Sequence, residues 1–319
     1  MYSSKTRVLH LNDVAGTATT LVSSATAAGR AWSLRRLPVD KRRPVRKGFA
    51  RLRDGLRYLG ESPHDIVHIH YGPNGYYGWL KRSPYVLHLH GSDLRVALQQ
   101  PVRGRVIRRA AKRAAAVVVS TPDLLEAARK LRDDALYLPN PISARCLAHR
   151  GTREPVTNRV VFNARWDESK GAQALIHAAR QLLDSGVDVV GVDWGQHKEL
   201  ARSAGVRLLP LMTQEGFVDL LSSAQVVVGQ VEVGALGIAD LQTLACGRPL
   251  VGTVACGPES DAPIANTIPE AVGETVLNLL SDENAARNLA DTGRQWVSSE
   301  RTPAVAIERL EEVYRNILR

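Results

Sequence analysis

The sequence predicts an α/β fold built from two mostly parallel, doubly wound sheets. Short apolar runs alternate with helical patterns through both halves, and that rhythm produces parallel strands with helices on both faces. At 319 residues the chain suits two ordinary domains, each able to bury a core of its own.

Strands are expected in the first half at Arg7–Leu11, Trp32–Leu37, Asp65–His70, Tyr85–Leu89, Ala116–Ser120 and Ala135–Leu138. Helices fall between them at Thr17–Ala28, Lys47–Leu59, Gly104–Ala114 and Pro122–Leu131. In the second half Arg159–Asn163, Val187–Asp193, Val206–Leu209, Gln225–Gly229 and Pro249–Gly252 read as strands, alternating with helices near Ala172–Leu183, Gln196–Ala204, Thr213–Ser222 and Gly237–Ala245. The segment Pro139–Val156 holds three prolines and no helical period, which marks it as the linker. Domains are therefore expected at 1–148 and 149–302, with 303–319 as a C-terminal helix crossing back to the first. After Ala262 the strands stop, and Pro269–Leu280, Asp282–Ser298 and Pro303–Leu318 are helical patterns, two of them with Pro at the first helical position. Val305, Ile307, Leu310, Val313 and Ile317 share one face of the last.

With 44% hydrophobic and 23% charged residues, the composition is that of a globular protein and excludes a disordered one. No apolar run reaches bilayer-spanning length, and the N-terminus passes almost directly into a strand without a secretory pattern. Cys146, Cys246 and Cys256 lack CxxC spacing, which argues for a reducing cytoplasm and against a disulfide framework or a zinc site. Charge is divided unevenly. Residues 1–150 carry 27 Lys and Arg against 10 Asp and Glu, whereas residues 151–319 carry 15 against 22. The excess concentrates in Arg35–Arg57 (Arg35, Arg36, Lys41, Arg42, Arg43, Arg46, Lys47, Arg51, Arg53 and Arg57) and in Arg103–Arg113. Such a bias suits an anionic partner: an acidic membrane surface, a phosphorylated acceptor or nucleic acid. The plain alternative is a solvated basic face.

The most informative stretch is Ala164-Arg165-Trp166-Asp167-Glu168-Ser169-Lys170-Gly171, between a buried strand and an amphipathic helix. Ligands bind at such turns in parallel sheets, and helix N-termini favour anions. Arg offers phosphate a planar fork and Lys a point charge, so the pair suggests a diphosphate. Pairing of Arg165 with Asp167 or Glu168, and a merely solvated Lys170, is the competing reading.

Further stretches, in order, resemble the GT-B glycosyltransferases, specifically the retaining family 4 type that uses nucleotide-diphosphate sugars. Val8-Leu9-His10-Leu11-Asn12-Asp13-Val14-Ala15-Gly16 is similar to the family's first strand and glycine turn, with one glycine where relatives usually show two. Asp65-Ile66-Val67-His68-Ile69-His70, His88-Leu89-His90-Gly91-Ser92-Asp93 and Leu138-Pro139-Asn140-Pro141-Ile142 resemble its Asp-Val-Val-His-x-His strand, His-Gly-x-Asp loop and Pro-Asn-Gly linker. Leu244-Ala245-Cys246-Gly247-Arg248-Pro249-Leu250-Val251 is close to its Ala-Cys-Gly-x-Pro-Val-Val signature. The resemblance spans nearly the whole chain. It departs at two glutamates that relatives place eight positions apart: Gly234 and Gln242 stand there instead.

The resemblance implies a donor held in the cleft between two facing domains, mainly by the second. Arg165 and Lys170 would neutralise the diphosphate leaving group as the sugar–phosphate bond breaks. Backbone N–H groups at Gly237 and Ile238 would bind phosphate oxygens, Gly16 would allow close approach from the other domain, Gln242 would accept from the ribose, and Glu232 is the acid nearest the lost glutamate. His90 would hydrogen-bond the transferred sugar and Asp93 would orient its loop. No metal and no cofactor beyond the nucleotide-sugar co-substrate are expected. The pairs His68/His70 and His88/His90 each share a strand face and raise a metal question, but no carboxylate or Cys spacing supports one. Tyr71, Tyr76, Tyr77, Trp79 and Tyr85 are open to three readings: an acceptor cleft, a membrane interface or ordinary packing. The implied activity is transfer of a hexose or related sugar, with retention, to an unidentified acceptor, in the cytoplasm or peripherally at the inner membrane face; the basic first half would hold a phosphorylated or lipid-linked acceptor or dock on an anionic membrane. The second reading is a non-catalytic GT-B protein that binds nucleotide sugar or assists a partner enzyme. Nucleic-acid binding would explain the charge but not the phosphate-site motifs.

Overall fold

The structure, a computed structural model, describes residues 1–38, 44–149, 154–255 and 257–319, with only the backbone at 44, 45 and 47. It divides into two compact units, Met1–Pro141 with Pro303–Arg319, and Ile142–Thr302.

In the first unit the chain runs β1 (Val8–Leu11), α1 (Thr17–Ala27), β2 (Trp32–Arg35), α2 (Pro44–Gly60), β3 (Ile66–His70), β4 (Tyr85–Leu89), α3 (Ser92–Arg95), α4 (Pro101–Arg113), β5 (Ala116–Val119), α5 (Leu125–Arg129) and β6 (Leu136–Tyr137). The second holds α6 (Ala144–Ala148), β7 (Arg159–Phe162), α7 (Ala172–Asp184), β8 (Asp188–Val192), α8 (Lys198–Ser203), β9 (Arg207–Leu209), α9 (Gln214–Ser222), β10 (Val226–Val228), α10 (Ile238–Ala245), β11 (Leu250–Gly252), β12 (Ala265–Asn266), α11 (Val272–Ser281) and α12 (Glu283–Glu300). The last helix, α13 (Pro303–Ile317), belongs to the first unit.

Each unit carries one six-stranded sheet, ordered β2-β1-β3-β4-β5-β6 and β12-β11-β10-β7-β8-β9. All neighbouring strands are parallel. Such strands are apolar on both faces because helices cover both. In the first sheet Leu9, Leu11, Val67, Ile69, Leu87 and Leu89 enter one core. Val8, Ile66, Val86 and Val118 enter the other, closed by Leu21 and Ala25 of α1 and by Leu310 and Tyr314 of α13. The second sheet divides in the same way, with Val160, Phe162 and Val228 facing one side and Val161, Val227 and Leu250 the other.

Three local expectations change. The strands do not stop at Ala262, because β12 adds a short edge strand paired Val251↔Ala265 and Gly252↔Asn266. A two-residue strand has no room for a period-2 pattern, so nothing in the sequence announced it. The segment expected to be without helix contains α6, capped by the Ser143 side chain, which accepts from the Cys146 N–H. The helix expected over Pro122–Leu131 begins as a 3-10 turn at Pro122–Leu124 ahead of a short α5, and Gly72–Trp79 also forms a 3-10 turn. No described helix is long and apolar enough to cross a membrane.

Candidate active site

The Arg165–Gly171 turn leaves the carboxyl end of β7 and opens α7. Trp166 is fully buried, stacks on Phe162 and donates from Nε1 to the Val192 carbonyl at 3.1 Å. That anchor fixes the residues around it. Arg165 Nε lies 3.2 Å from Asp167 Oδ2, and its guanidinium sits 5.0 Å from the Trp194 ring centroid. The expected local ion pair is thus made, and the Arg165 side chain remains 39% exposed. Asp167 is held in turn by the Gln196 N–H at 2.8 Å. Exposed Trp194, which steers the guanidinium, was invisible as a site residue because it lies beyond the next strand.

Lys170 reaches the second part of the site through the backbone: the Val231 N–H donates to its carbonyl at 3.2 Å. Gly171 caps α7 at φ 83°, and a Cβ there would lie 2.6 Å from Val231 Cγ2. The 230–237 loop therefore rests directly on the Arg165–Gly171 turn. Glu168, Gly171, Ala172, His177, Glu232 and Glu270 line an open hollow of about 510 Å³ there. Glu232 is exposed at its rim. Gly234 has φ 69°, and its Cβ would come within 2.9 Å of Ala255 Cβ. The loop as folded accepts no glutamate at this position without strain.

At the start of α10 the Gly237 N–H donates to Asp240 Oδ2 at 2.8 Å, so this donor is already taken by the chain's own carboxylate. Asp240 is buried and also accepts from Asn163 Nδ2 at 3.1 Å. Burial pushes its carboxyl up from the ordinary value, opposed by the Gly237 N–H and by the Lys170 charge. Asp240 was missed by sequence reasoning, although Asp three residues into a helix that begins at glycine is the signal for it. Gln242 is 5% exposed on the same helix. Glu259, also missed, accepts from the Leu236 N–H at 3.0 Å and pairs with Arg301 at 3.3 Å, both side chains nearly fully buried.

In the first unit Gly16 begins α1 at φ 79°, and a Cβ there would meet nothing within 4 Å. Its backbone conformation, not crowding within the unit, is what calls for glycine. Asp13 covers the helix start by accepting from the Ala18 N–H at 3.0 Å. Asp93 is fully buried and accepts from the backbone N–H groups of His90, Gly91, Gly72 and Leu94 at 2.8–3.1 Å. These four donors hold down a carboxyl that burial pushes up. They join the His90 loop to the 3-10 turn after β3.

Five histidines gather at the carboxyl end of this sheet. His10 registers with His68 across β1 and β3, and His70 with His88 across β3 and β4. His10, His68, His70 and His88 are at most 1% exposed. Burial lowers the ring pKa of His10 and His90 to about 3, and of His68, His70 and His88 well below the ordinary value. All five are neutral at pH 7. The sets His10/His68/His70 and His70/His88/His90 each bring three potential ligand nitrogens within 4.8 Å. The contacts inside them are 2.9 Å (His70–His90) and 3.0 Å (His10–His70). Nitrogens around tetrahedral zinc at 2.0–2.1 Å would stand about 3.3 Å apart. The observed spacings fit N–H···N hydrogen bonds.

The aromatic cluster is packing. Tyr77 and Tyr85 are buried, their hydroxyls donating to Asp54 and to the Ala110 carbonyl at 2.7 Å each, with Tyr76 and Trp79 against the same core. The basic segments differ internally. Arg35 is tied to Asp54 and Glu61, whereas Arg46, Arg53 and Arg57 on α2 and Arg103, Arg105 and Arg108 on α4 are exposed. Lys41, Arg42 and Arg43, the side chain of Lys47, and Cys256 lie outside the described residues. Cys146 and Cys246 are buried free thiols.

Comparison with known proteins agrees with this architecture. Residues 13–141 match the glycosyl transferase 4-like domain, and residues 157–282 match the glycosyl transferases group 1 domain. The chain is 22% identical over 287 residues to the N-acetyl-alpha-D-glucosaminyl L-malate synthase of Bacillus anthracis, covering 80% of this chain and 75% of that one. In structure it resembles a sucrose-phosphate synthase from Thermosynechococcus elongatus, with TM-score 0.74, 16% identity and coverage of 98% and 99% of the two chains. It also resembles Anabaena Alr3699/HepE in complex with UDP and glucose, with TM-score 0.70, 13% identity and coverage of 97% and 99%. A family 4-type domain followed by a group 1 domain, each on its own parallel sheet, identifies the chain as a member of the GT-B glycosyltransferases of the family 4 type.

Proposed function

We propose that the protein transfers a sugar from a nucleotide-diphosphate sugar, with retention and without a metal, to a phosphorylated or lipid-linked acceptor. The observation that carries this reading is the bond from the Val231 N–H to the Lys170 carbonyl, which seats the 230–237 loop on the Arg165–Lys170 turn. Two cations, the Ile238 N–H at the start of α10 and the Glu232 carboxylate thereby belong to one end of one sheet. As the anomeric C–O bond breaks, its electrons pass to the leaving phosphate oxygen, where Arg165 and Lys170 stabilise the growing charge. Gln242 accepts from the ribose, and His90 holds the transferred sugar within a loop tied by Asp93. The UDP and glucose bound by the Anabaena relative support UDP as the first nucleotide to test.

The acceptor class follows from α2. Phe49, Leu52, Leu56 and Leu59 are 70%, 61%, 62% and 47% exposed, spaced three, four and three residues apart on one helix face. Arg46, Arg53 and Arg57 flank them. An apolar stripe beside arginines suits a helix lying in an anionic membrane surface, so the enzyme works peripherally at the cytoplasmic face of the inner membrane. The test is calorimetric titration with UDP and UDP-sugars, followed by turnover with lipid-phosphate acceptors. Binding of UDP that Arg165→Ala weakens by about 10- to 100-fold supports the reading; no nucleotide binding at all refutes it.

A second reading rests on Gly234, whose conformation excludes the family's first glutamate. In that reading the protein binds nucleotide sugar without turning it over.

A further inference from the structure

The five histidines and Tyr314 form one unbranched chain. His90 Nε2 meets His70 Nδ1 at 2.9 Å, and His70 Nε2 meets His10 Nδ1 at 3.0 Å. His10 Nε2 lies 3.4 Å from the Tyr314 hydroxyl, which lies 2.6 Å from His68 Nδ1. His68 Nε2 ends the chain on His88 Nδ1 at 3.1 Å. His88 Nε2 is buried and has no partner among the described residues.

A neutral imidazole has one N–H and one lone pair, and a phenol both donates and accepts. Such a chain is hydrogen-bonded throughout in two arrangements alone. In one, every histidine carries its proton on Nε2; in the other, every histidine carries it on Nδ1. A reversal between two rings sets two N–H groups or two lone pairs face to face, and a reversal at Tyr314 leaves either its buried hydroxyl hydrogen or one ring lone pair without a partner. The rings are neutral because burial disfavours their cations, so no extra proton relieves the constraint.

We propose that these six groups hold their tautomers in common, making Tyr314 on α13 a positioning residue for the proton on His90. The 2.6 Å contact selects the direction. Bonds with an O–H donor are shorter than those with N–H, so Tyr314 donates to His68 and all five histidines carry hydrogen on Nε2; this direction leaves the buried His88 Nε2–H without an acceptor among the described residues, a cost the short Tyr314 bond outweighs. His90 then presents a Nδ1 lone pair, which accepts from a sugar hydroxyl. This last step rests on the reading of His90 given above; the shared tautomer does not.

The constraint makes a definite variant prediction. In Tyr314→Phe the His10 Nε2–H loses its acceptor, and an orphaned buried N–H is the less tolerated of the two orphans. His10, His70 and His90 therefore move their hydrogens together to Nδ1, while His68 and His88 keep theirs on Nε2. In His88→Phe the unpaired N–H only passes from His88 Nε2 to His68 Nε2, so the remaining chain keeps its direction and this variant is the control. Tautomers are read from long-range proton–nitrogen correlation spectra of ¹⁵N-histidine-labelled full-length protein without ligand. Five Nε2–H tautomers in the wild type, and a change at His90 in Tyr314→Phe but not in His88→Phe, support the proposal. Mixed tautomers in the wild type, an unchanged His90 in folded Tyr314→Phe, or zinc-shifted ring nitrogens after metal titration overturn it. Steady-state kinetics give the separate arm: kcat falls roughly tenfold in Tyr314→Phe with KM held, the size of one lost hydrogen bond. A changed His90 tautomer with no effect on transfer leaves the coupling standing and removes the assigned role of His90.

Discussion

The hydroxyl of Tyr314, three residues before the end of α13, lies 2.6 Å from Nδ1 of His68 on a central strand of the first sheet. The last helix thus completes the polar layer of a sheet whose strands begin at residue 8. Apolar packing at Leu310 and Ile307 brings it there, and the hydrogen bond sets its register. Helix and histidines form one structural unit, and their chemistry has a consequence for stability.

Acid should unfold the first unit unusually early. The folded pKa of His10 and His90 is about 3, against 6.5 for a free side chain. The unfolded chain therefore binds more protons, and stability rises with pH through that interval. The contribution is fully present above about 6.5 and is lost as pH falls toward 3. A shift of this size at His10 amounts to about 5 kcal/mol. Asp93 and Asp240 act oppositely, since their raised folded values favour the fold at low pH. Urea midpoints should fall steeply from pH 7 to pH 5.5; a flat profile would contradict burial of neutral rings.

Arg165→Ala should weaken UDP binding by about 10- to 100-fold, the range for one charge-assisted hydrogen-bonded contact. Arg165→Lys should recover only part, because it keeps the charge and loses the fork. Titration calorimetry on the two variants checks both. Equal affinities for wild type and Arg165→Ala would remove the diphosphate assignment.

Glu259 and Arg301 form an ion pair at 3.3 Å with side chains 2% and 4% exposed. Removing one partner should destabilise the second unit by about 3–5 kcal/mol, because the other charge is left buried. Arg301→Met should therefore cost more than Arg301→Met combined with Glu259→Met. Since Glu259 also holds the Leu236 N–H, nucleotide affinity should fall in the double variant, which removes that acceptor. Thermal unfolding and titration separate the two effects.

Phe49→Ser with Leu56→Ser should release the protein from vesicles rich in anionic lipid while leaving UDP affinity unchanged. Both side chains are more than 60% exposed, so the fold should tolerate the change. Sedimentation with anionic and zwitterionic vesicles reads the result. Retained binding would move the contact to α4, where Arg103, Arg105 and Arg108 lie exposed.

The sequence by itself determined the two parallel sheets, because apolar runs alternating with amphipathic helices have few other ways to bury both strand faces. It also located the Arg165–Lys170 turn: both residues are local to one strand–helix junction, and local spacing survives folding. Tertiary structure decided what stands beside them. That Val231 rests on Lys170, that Asp240 takes the Gly237 N–H, and that Glu259 pairs with Arg301 depend on packing between segments distant in sequence. The histidine pairs showed a shared strand face and no more. Their union into one chain needed the β1–β3–β4 register and the arrival of Tyr314 from residues far along the chain. Period and spacing are properties of one segment; a hydrogen bond between segments exists only once both are placed.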